Sequence, residues 1–133
     1  MNTIILFIIF FKSPKNTYEV KISPYQGKDK FYSVGFGVSK TLGYDTDIIV
    51  NENPYEVMQT VFSIMLKFIE ELKDKYAEFI EKYNLKVING FIFSFTGDKM
   101  KNDQRLLLYK RYIKKYLPNS ELNYKNGIYY IEL

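Results

Sequence analysis

The sequence predicts an α+β fold in which a mainly antiparallel sheet packs against two helices on one of its faces. Three observations predict it. The first 40 residues contain three strand-like segments. Two later segments have apolar residues at helical spacing, and an Asn-Gly pair near the end of the chain separates two further strand-like segments. The expected order is βββαβαββ in a single domain, 1–133, because no linker or repeat divides the chain.

The first strand is predicted at residues 4–11, a run of eight apolar residues. The run is too short for a membrane-spanning helix, which needs about 20 residues. It also lacks the cationic start and the small-residue cleavage site of a secretory signal. Its β-branched and aromatic side chains favour a buried strand. We therefore expect a cytoplasmic protein that does not associate with a membrane.

The second and third strands are predicted at residues 18–22 and 31–38, with a turn at residues 24–30. The second strand alternates apolar and charged side chains, which is typical of a half-exposed strand. In the third strand the apolar residues share one face, and Gly35 and Gly37 lie on the other. The two glycines indicate a bulge, a helix crossing or the close approach of another group to the backbone.

The first helix is predicted to begin at Asn53-Pro54, because Asn is a preferred N-cap residue and Pro is favoured at the first helical position. Apolar residues then recur near helical spacing as far as Tyr83, and such a length predicts a bend near residues 73–75. A short strand is expected before this helix at residues 48–50. A longer one follows it at residues 87–95, unless Asn89-Gly90 makes a hairpin turn there.

The second helix is predicted to begin between Asp98 and Asp103 and to end before Pro118. After it, Asn126-Gly127 predicts a hairpin between strands at residues 122–125 and 128–133. On a helical wheel the apolar side chains of this helix form one stripe, which should face the sheet. The stripe contains Leu106, Tyr109, Tyr112, Ile113, Tyr116 and Leu117.

The chain has no cysteine and no histidine, which excludes several kinds of site. It cannot form a disulfide, a Ser-His-Asp or Cys-His arrangement, or a zinc site of the usual type. The acidic residues Asp45, Asp47 and Glu52 are explained by a solvated turn, and Glu19 and Lys21 by alternating charge on an exposed strand. We therefore expect no metal site, no cofactor and no catalytic residue, and a binding protein rather than an enzyme.

Positive charge is concentrated in residues 99–115. This segment has seven Lys or Arg residues and one acidic residue, a net charge of +6 in a chain whose total is +4. Lys110, Arg111, Lys114 and Lys115 fall opposite the apolar stripe of the second helix and are predicted to face solvent. Exposed basic helices commonly bind the phosphates of nucleic acids, and solubility is the alternative role of such a face.

Arg105 projects at the tyrosine edge of the stripe, away from the other cations. One interpretation is a structural ion pair with an acidic residue that holds the helix to its neighbours. The alternative is an anion-binding site at the start of the helix, where free backbone amides and the helix dipole favour negative charge. The residues of that site would be Ser94, Thr96, Gly97, Lys99 and Arg105.

Three segments of the chain support a resemblance to other proteins: the helix around residues 56–61, the strand that ends at Phe93-Ser94, and an R-x-x-L-Y-x-R motif from Arg105 to Arg111. These segments resemble a group of small bacteriophage and Bacteroidota proteins that share such a helix after a Phe-Ser strand. The similarity spans residues 31–117. It implies a phage or bacterial intracellular origin and no particular activity. The link between the strand and Arg105 is longer here than in that group.

Charge, composition and resemblance together predict a small non-enzymatic accessory protein of phage type, which binds a macromolecule through the basic, tyrosine-edged helix. Its partner is a nucleic acid or an acidic surface of a host or viral protein, a host defence component included. One alternative is a small-anion or nucleotide-binding protein centred on Arg105. The other is a structural or virion homo-oligomer in which the strand at residues 128–133 pairs across subunits.

Overall fold

The computed structural model of the chain describes residues 7–12, 17–40, 43–45, 54–94, 99–126 and 128–133. These residues form seven strands and three helices, which confirms the predicted α+β class. In chain order they are β1 (Phe7–Lys12), β2 (Thr17–Pro24), β3 (Phe31–Lys40), β4 (Gly43–Asp45), α1 (Pro54–Lys75), α2 (Ala77–Tyr83), β5 (Gly90–Ser94), α3 (Lys99–Tyr116), β6 (Glu121–Lys125) and β7 (Ile128–Glu132).

The strands form one mixed sheet with the order β1-β2-β3-β5-β7-β6, and the short β4 pairs with β3. Among the described strands every neighbouring pair is antiparallel except β3 and β5, which are parallel. The prediction of a mainly antiparallel sheet is therefore right for most pairs. It missed the parallel pair because a long helical crossover joins β3 to β5, and no turn residue marks such a pairing in the sequence.

The helices α1 and α3 pack on the same face of the sheet, as predicted. Phe68 of α1 contacts the rings of Tyr32 and Phe91, with centroid distances of 5.0 and 6.3 Å. Tyr109 of α3 stacks on Phe93 at 5.2 Å. The strand register places Tyr32, Phe91 and Phe93 on one face, because residues directly opposite each other share a face. Each such side chain, when buried, contributes about 1.5–3 kcal/mol to folding.

The long first helix of the prediction is two helices in the structure. α1 ends at Lys75, and Tyr76 leaves the helical conformation with φ −109° and ψ 21°. α2 then ends at Tyr83, and the next residue, Asn84, has the left-handed conformation that often terminates helices. The break lies one residue beyond the predicted bend. Since α2 has no buried residue, the helical layer over the sheet consists of α1 and α3.

The Asn89-Gly90 pair brings strands together and forms no hairpin turn. The backbone N–H of Asn89 donates to the carbonyl oxygen of Lys30 at 2.8 Å, and its side-chain amide donates to that of Asp29 at 2.9 Å. Gly90 begins β5, and a Cβ there would lie 2.2 Å from the carbonyl oxygen of Ile131. Glycine is therefore required for the close approach of β5 and β7.

The end of the chain agrees with the sequence. β6 and β7 form the predicted hairpin, and Asn126 has a φ of 53°, as the left-handed turn conformation requires. α3 begins at Lys99, inside the predicted interval, and ends two residues before Pro118. β7, however, pairs with β5 on one edge and β6 on the other. Its backbone is therefore already paired, and the predicted pairing of residues 128–133 with a second subunit is wrong.

The beginning of the chain agrees only in part. β1 is a strand, but it lies at the edge of the sheet, and Ile8 and Phe10 are 45% and 58% exposed. Phe7, Ile9 and Phe11 on its other face are half-buried. The prediction of a strand is therefore right for residues 7–11, but the prediction that it is buried is wrong; residues 4–6 lie outside the described residues. The strand predicted at residues 48–50 also lies outside them, and β4 was not predicted.

Candidate binding surface on helix α3

The inward side of α3 is fixed by aromatic packing. Tyr109 and Tyr112 are 2% and 6% exposed, and the ring of Tyr112 stacks on Phe62 of α1 at 5.8 Å. The ring of Tyr116, which is half-buried, stacks on Phe62 at 6.1 Å. Ile113 and Leu117 complete the buried stripe. The predicted inward orientation is therefore confirmed for these residues, while the side chain of Leu106 lies outside the described residues.

The outward side of α3 holds the four predicted cations. Lys110, Arg111, Lys114 and Lys115 are all exposed, and we call this set the cationic face. Two of its pairs have i, i+4 spacing, which places their side chains next to each other on the helix surface. Leu107, one turn before Arg111, is 70% exposed and adds an apolar side chain to the same side of the helix.

Helix α3 itself contributes few negative charges beside the cationic face. α3 has no acidic residue in its first turn, and Asp103 is its only one. Within the described part of the chain, Lys110, Lys114 and Lys115 form no ion pair with an acidic side chain. The ammonium group of Lys115 lies 5.2 Å from the ring centroid of Tyr116. A cation over a tyrosine ring stays charged and accessible, so the face can still bind an anion.

The tyrosine edge of the helix is narrower than the sequence suggested, because Tyr109 and Tyr112 are buried against the core. Only Tyr116 borders the exposed side of α3, and it is half-buried. Another tyrosine, Tyr124 of β6, is 56% exposed and contacts Tyr129 at 4.7 Å, which in turn contacts Tyr109. No sequence pattern connects Tyr124 with α3, because the described contacts join them through Tyr129 of the sheet.

The predicted anion site at the start of α3 lies almost wholly outside the described residues. Thr96 and Gly97 are among residues 95–98, which are not described. For Ser94, Lys99 and Arg105 the structure describes only the backbone, which places Ser94 at the end of β5 and Lys99 at the start of α3. The anion-binding role of these five residues therefore stays a prediction.

One ion pair departs from its predicted environment. Glu19, on the outer face of β2, is 7% exposed, and its carboxylate lies 3.3 Å from the ammonium group of Lys21. The sequence placed both residues on an exposed strand face. In the register Glu19 lies between Phe10 of β1 and Gly37 of β3. This burial was not predicted, because alternation of apolar and charged residues indicates which face a residue occupies but not how well that face is covered.

The described residues also contain an apolar groove, which the sequence did not predict. It lies between α1, α2 and the end of the chain, and its volume is about 840 Å³. Its apolar walls come from residues far apart in sequence, so no local pattern could reveal it. They are Leu66, Ile69, Ala77, Ile80, Leu85, Val87, Ile88, Leu117 and Leu133.

The described residues offer neither a metal site nor a membrane-spanning helix. Within the described ranges, no three acidic side chains are close enough together to hold a metal ion. No helix in the part of the chain that the structure describes is both long enough and apolar enough to span a bilayer. Comparisons with protein-family models, curated proteins and solved structures found no match. Evidence for the role of α3 therefore comes from the burial, charge and contacts of its own side chains.

Proposed function

We propose that this chain is a non-enzymatic binding protein whose cationic face, Lys110, Arg111, Lys114 and Lys115, binds the phosphate backbone of a nucleic acid. One observation supports the proposal above all. Four exposed cations occupy two successive turns of a helix whose other side is packed into the core. The resemblance to small phage and Bacteroidota proteins suggests an accessory role in the cytoplasm of a host cell.

The spacing of the cations supports binding rather than solubility alone. Like charges at i, i+4 destabilise a helix by about 0.2–0.5 kcal/mol per pair. Lys110 with Lys114 and Arg111 with Lys115 are two such pairs, and no acidic residue lies within four positions of them in α3. A surface that served only solubility would gain stability by mixing both signs. A polyanionic partner relieves the same repulsion on binding.

The proposal predicts a strong dependence of binding on salt. If each of the four cations neutralises one phosphate, affinity for duplex DNA falls about 10²-fold between 50 and 200 mM salt. Replacing all four (Lys110→Gln, Arg111→Gln, Lys114→Gln and Lys115→Gln) should lower the slope of log K against log salt by about 3.6. Fluorescence anisotropy with labelled duplex and single-stranded oligonucleotides measures the affinity at each salt concentration and so gives the slope.

A matched control removes four cations from the other helices. Lys67, Lys73, Lys75 and Lys82 are exposed on α1 and α2, and replacing them with Gln changes the net charge by the same amount. We expect this variant to lose less than about threefold in affinity at 150 mM salt, since its cations are interleaved with acids. Equal losses in the two variants would contradict a localised site. Binding of polyglutamate but of no oligonucleotide would identify an acidic protein surface as the partner instead.

A further inference from the structure

The strand β1 forms one edge of the sheet, and its sequence is almost wholly apolar. In the strand order β1 is paired with β2 alone, so among the described strands its second edge has no partner. Residues 7–11 are Phe-Ile-Ile-Phe-Phe, and the one charged residue of β1 is Lys12 at its end. The unpaired N–H and C=O groups of such an edge are a template for another strand.

Both faces of β1 also leave apolar surface in contact with solvent. On the outer face Ile8 and Phe10 are 45% and 58% exposed. On the inner face Phe7, Ile9 and Phe11 pack against the core but are only half-buried. A strand laid along the free edge would cover side chains on both faces at once, in addition to pairing the backbone.

The opposite edge of the sheet is built differently. β6 begins with Glu121 and ends with Lys125, and both side chains are exposed, as is Asn123 between them. Charged side chains on an edge strand are a common protection against pairing with another chain. β1 has no such protection in residues 7–11 and no proline or bulge in its register with β2. Among the described strands, β1 is therefore the edge that is better suited to pairing with another strand.

The sequence of β1 is compatible with its own copy. A two-fold axis perpendicular to the sheet would pair two β1 strands antiparallel, with the inner faces of both copies on the same side. Because successive residues of a strand alternate between faces, two residues that lie opposite each other must then both have even numbers or both have odd numbers. Centring the axis on Ile9 pairs Phe7 with Phe11 and Ile8 with Phe10. This register pairs all five apolar residues with apolar residues and leaves Lys12 beyond them.

We propose that the chain forms a two-fold symmetric dimer by antiparallel pairing of β1 with β1 of a second copy, centred on Ile9. A two-fold contact closes on itself and uses the same surface of both copies, whereas pairing β1 with β6 would continue indefinitely. The paired edge is about 20 Å long. Because an edge of this length is short compared with a standard interface of roughly 800 Å² per partner, we expect a weak dimer with a dissociation constant in the micromolar range. The proposal does not depend on the cationic face.

The register makes a charge-swap test possible. In the double variant Ile8→Glu with Phe10→Lys, each introduced carboxylate faces an introduced ammonium group of the other copy. Within one chain, position 8 lies opposite Lys21 of β2 and position 10 lies opposite Glu19. Each introduced charge therefore also faces a residue of opposite charge in its own chain. In Ile8→Lys with Phe10→Lys, the introduced charges repel across the two-fold axis. Sedimentation equilibrium from about 1 to 300 μM measures the dissociation constants over the expected range.

We expect the unmodified chain and the opposite-charge variant to dimerise, and the like-charge variant to dissociate at least about tenfold more readily. An unmodified chain that stays monomeric at all these concentrations would falsify the proposal. Equal dissociation constants for the two double variants would also contradict it. The control Tyr124→Lys places a charge on the opposite edge, at a side chain that is 56% exposed. It should leave the dissociation constant unchanged, and weakening comparable to that of the like-charge variant would place the interface elsewhere.

A second measurement does not need charged variants to fold. The chain has no cysteine, so Ile9→Cys introduces a single thiol at the proposed two-fold axis. Opposed residues of antiparallel strands have Cα atoms about 4.5–5.5 Å apart, which a disulfide can bridge. Mild oxidation should therefore give a covalent dimer of Ile9→Cys and not of Tyr124→Cys. Equal cross-linking of the two variants overturns the proposal.

Discussion

Helix α3 and the pair α1 and α2 differ in the arrangement of their charges. α1 and α2 together contain six acidic and four basic residues, a net charge of −2, whereas α3 contains one acidic and seven basic residues, a net charge of +6. On α1 and α2 opposite charges alternate at helical spacing. On α3 like charges adjoin, as in Lys110 and Lys114. Helix formation alone favours the first pattern, so the second is better explained by a role in binding.

The two regions also differ in how firmly they are attached to the core. α3 and the greater part of α1 are joined by ring contacts around Phe62, which has no exposed surface. α2 has no buried residue, and its Phe79 and Tyr83 stack on each other at 6.3 Å while 52% and 62% exposed. A helix that is firmly attached to the core loses less backbone entropy on binding, and α3 meets that condition better than α2.

The largest expected effect tests this difference in attachment. Phe62→Ala removes a buried ring that contacts Phe93, Tyr112 and Tyr116, and should lower the free energy of unfolding by about 3–5 kcal/mol. Phe79→Ala makes the same change on α2 and should cost less than about 0.5 kcal/mol. Urea denaturation followed by circular dichroism compares them. A loss above 2 kcal/mol for Phe79→Ala would mean that α2 is covered by another group.

Much of this arrangement could be predicted from the sequence, because α3 and the final hairpin depend on local patterns. The apolar stripe of α3 repeats at helical spacing, and Asn126 lies in the turn that directly joins β6 to β7. The break at Tyr76 was also within one residue of the prediction, since a helix as long as 54–83 is rare in a small domain. Local chemistry determines these elements, and the tertiary structure agrees with it.

What the sequence did not predict depends on contacts between distant segments. The parallel pairing of β3 with β5 and the burial of Glu19 result from the assembly of the whole sheet. The exposure of Phe10 follows from the edge position of β1, and a run of apolar residues cannot distinguish an edge strand from a central one. The pairing of β7 on both sides likewise overturned an interface that the strand pattern alone allowed.

A smaller effect tests the charge patterns themselves. Lys110→Glu converts the like-charge pair with Lys114 into a Glu-to-Lys pair at i, i+4 and should stabilise the fold by about 0.4–1 kcal/mol. The same substitution should weaken binding to an oligonucleotide. Stability and affinity would then change in opposite directions, which is the expected result for a face whose charges serve binding. A loss of stability would mean that Lys110 has a structural role.

The reverse substitution on α1, from an acidic to a basic residue, should lower the free energy of unfolding. Glu71 lies four residues from both Lys67 and Lys75, so Glu71→Lys turns two opposite-charge pairs into like-charge pairs. A new attraction to Asp74 offsets part of this cost, and the net loss should be about 0.4–1 kcal/mol. Thermal unfolding of Lys110→Glu and Glu71→Lys at 50 mM and 500 mM salt measures the two changes in stability. Both changes should be smaller at high salt, because surface charges are screened.

The smallest effect is confined to alkaline pH and to the region under α1 and α2. Burial raises the pKa of Tyr32 above its ordinary value of 10.0, and the neighbouring Tyr76 and Asp29 raise it further. Since the pKa is higher in the folded chain, the stability linked to the neutral hydroxyl is complete below pH 10 and is lost as the pH rises through the folded-state pKa. Tyr32→Phe has no proton to lose, so its stability should fall less between pH 9 and 11. Urea unfolding across that interval measures the difference between Tyr32→Phe and the unmodified chain. If the two show the same pH dependence, Tyr32 does not gain its raised pKa from the fold.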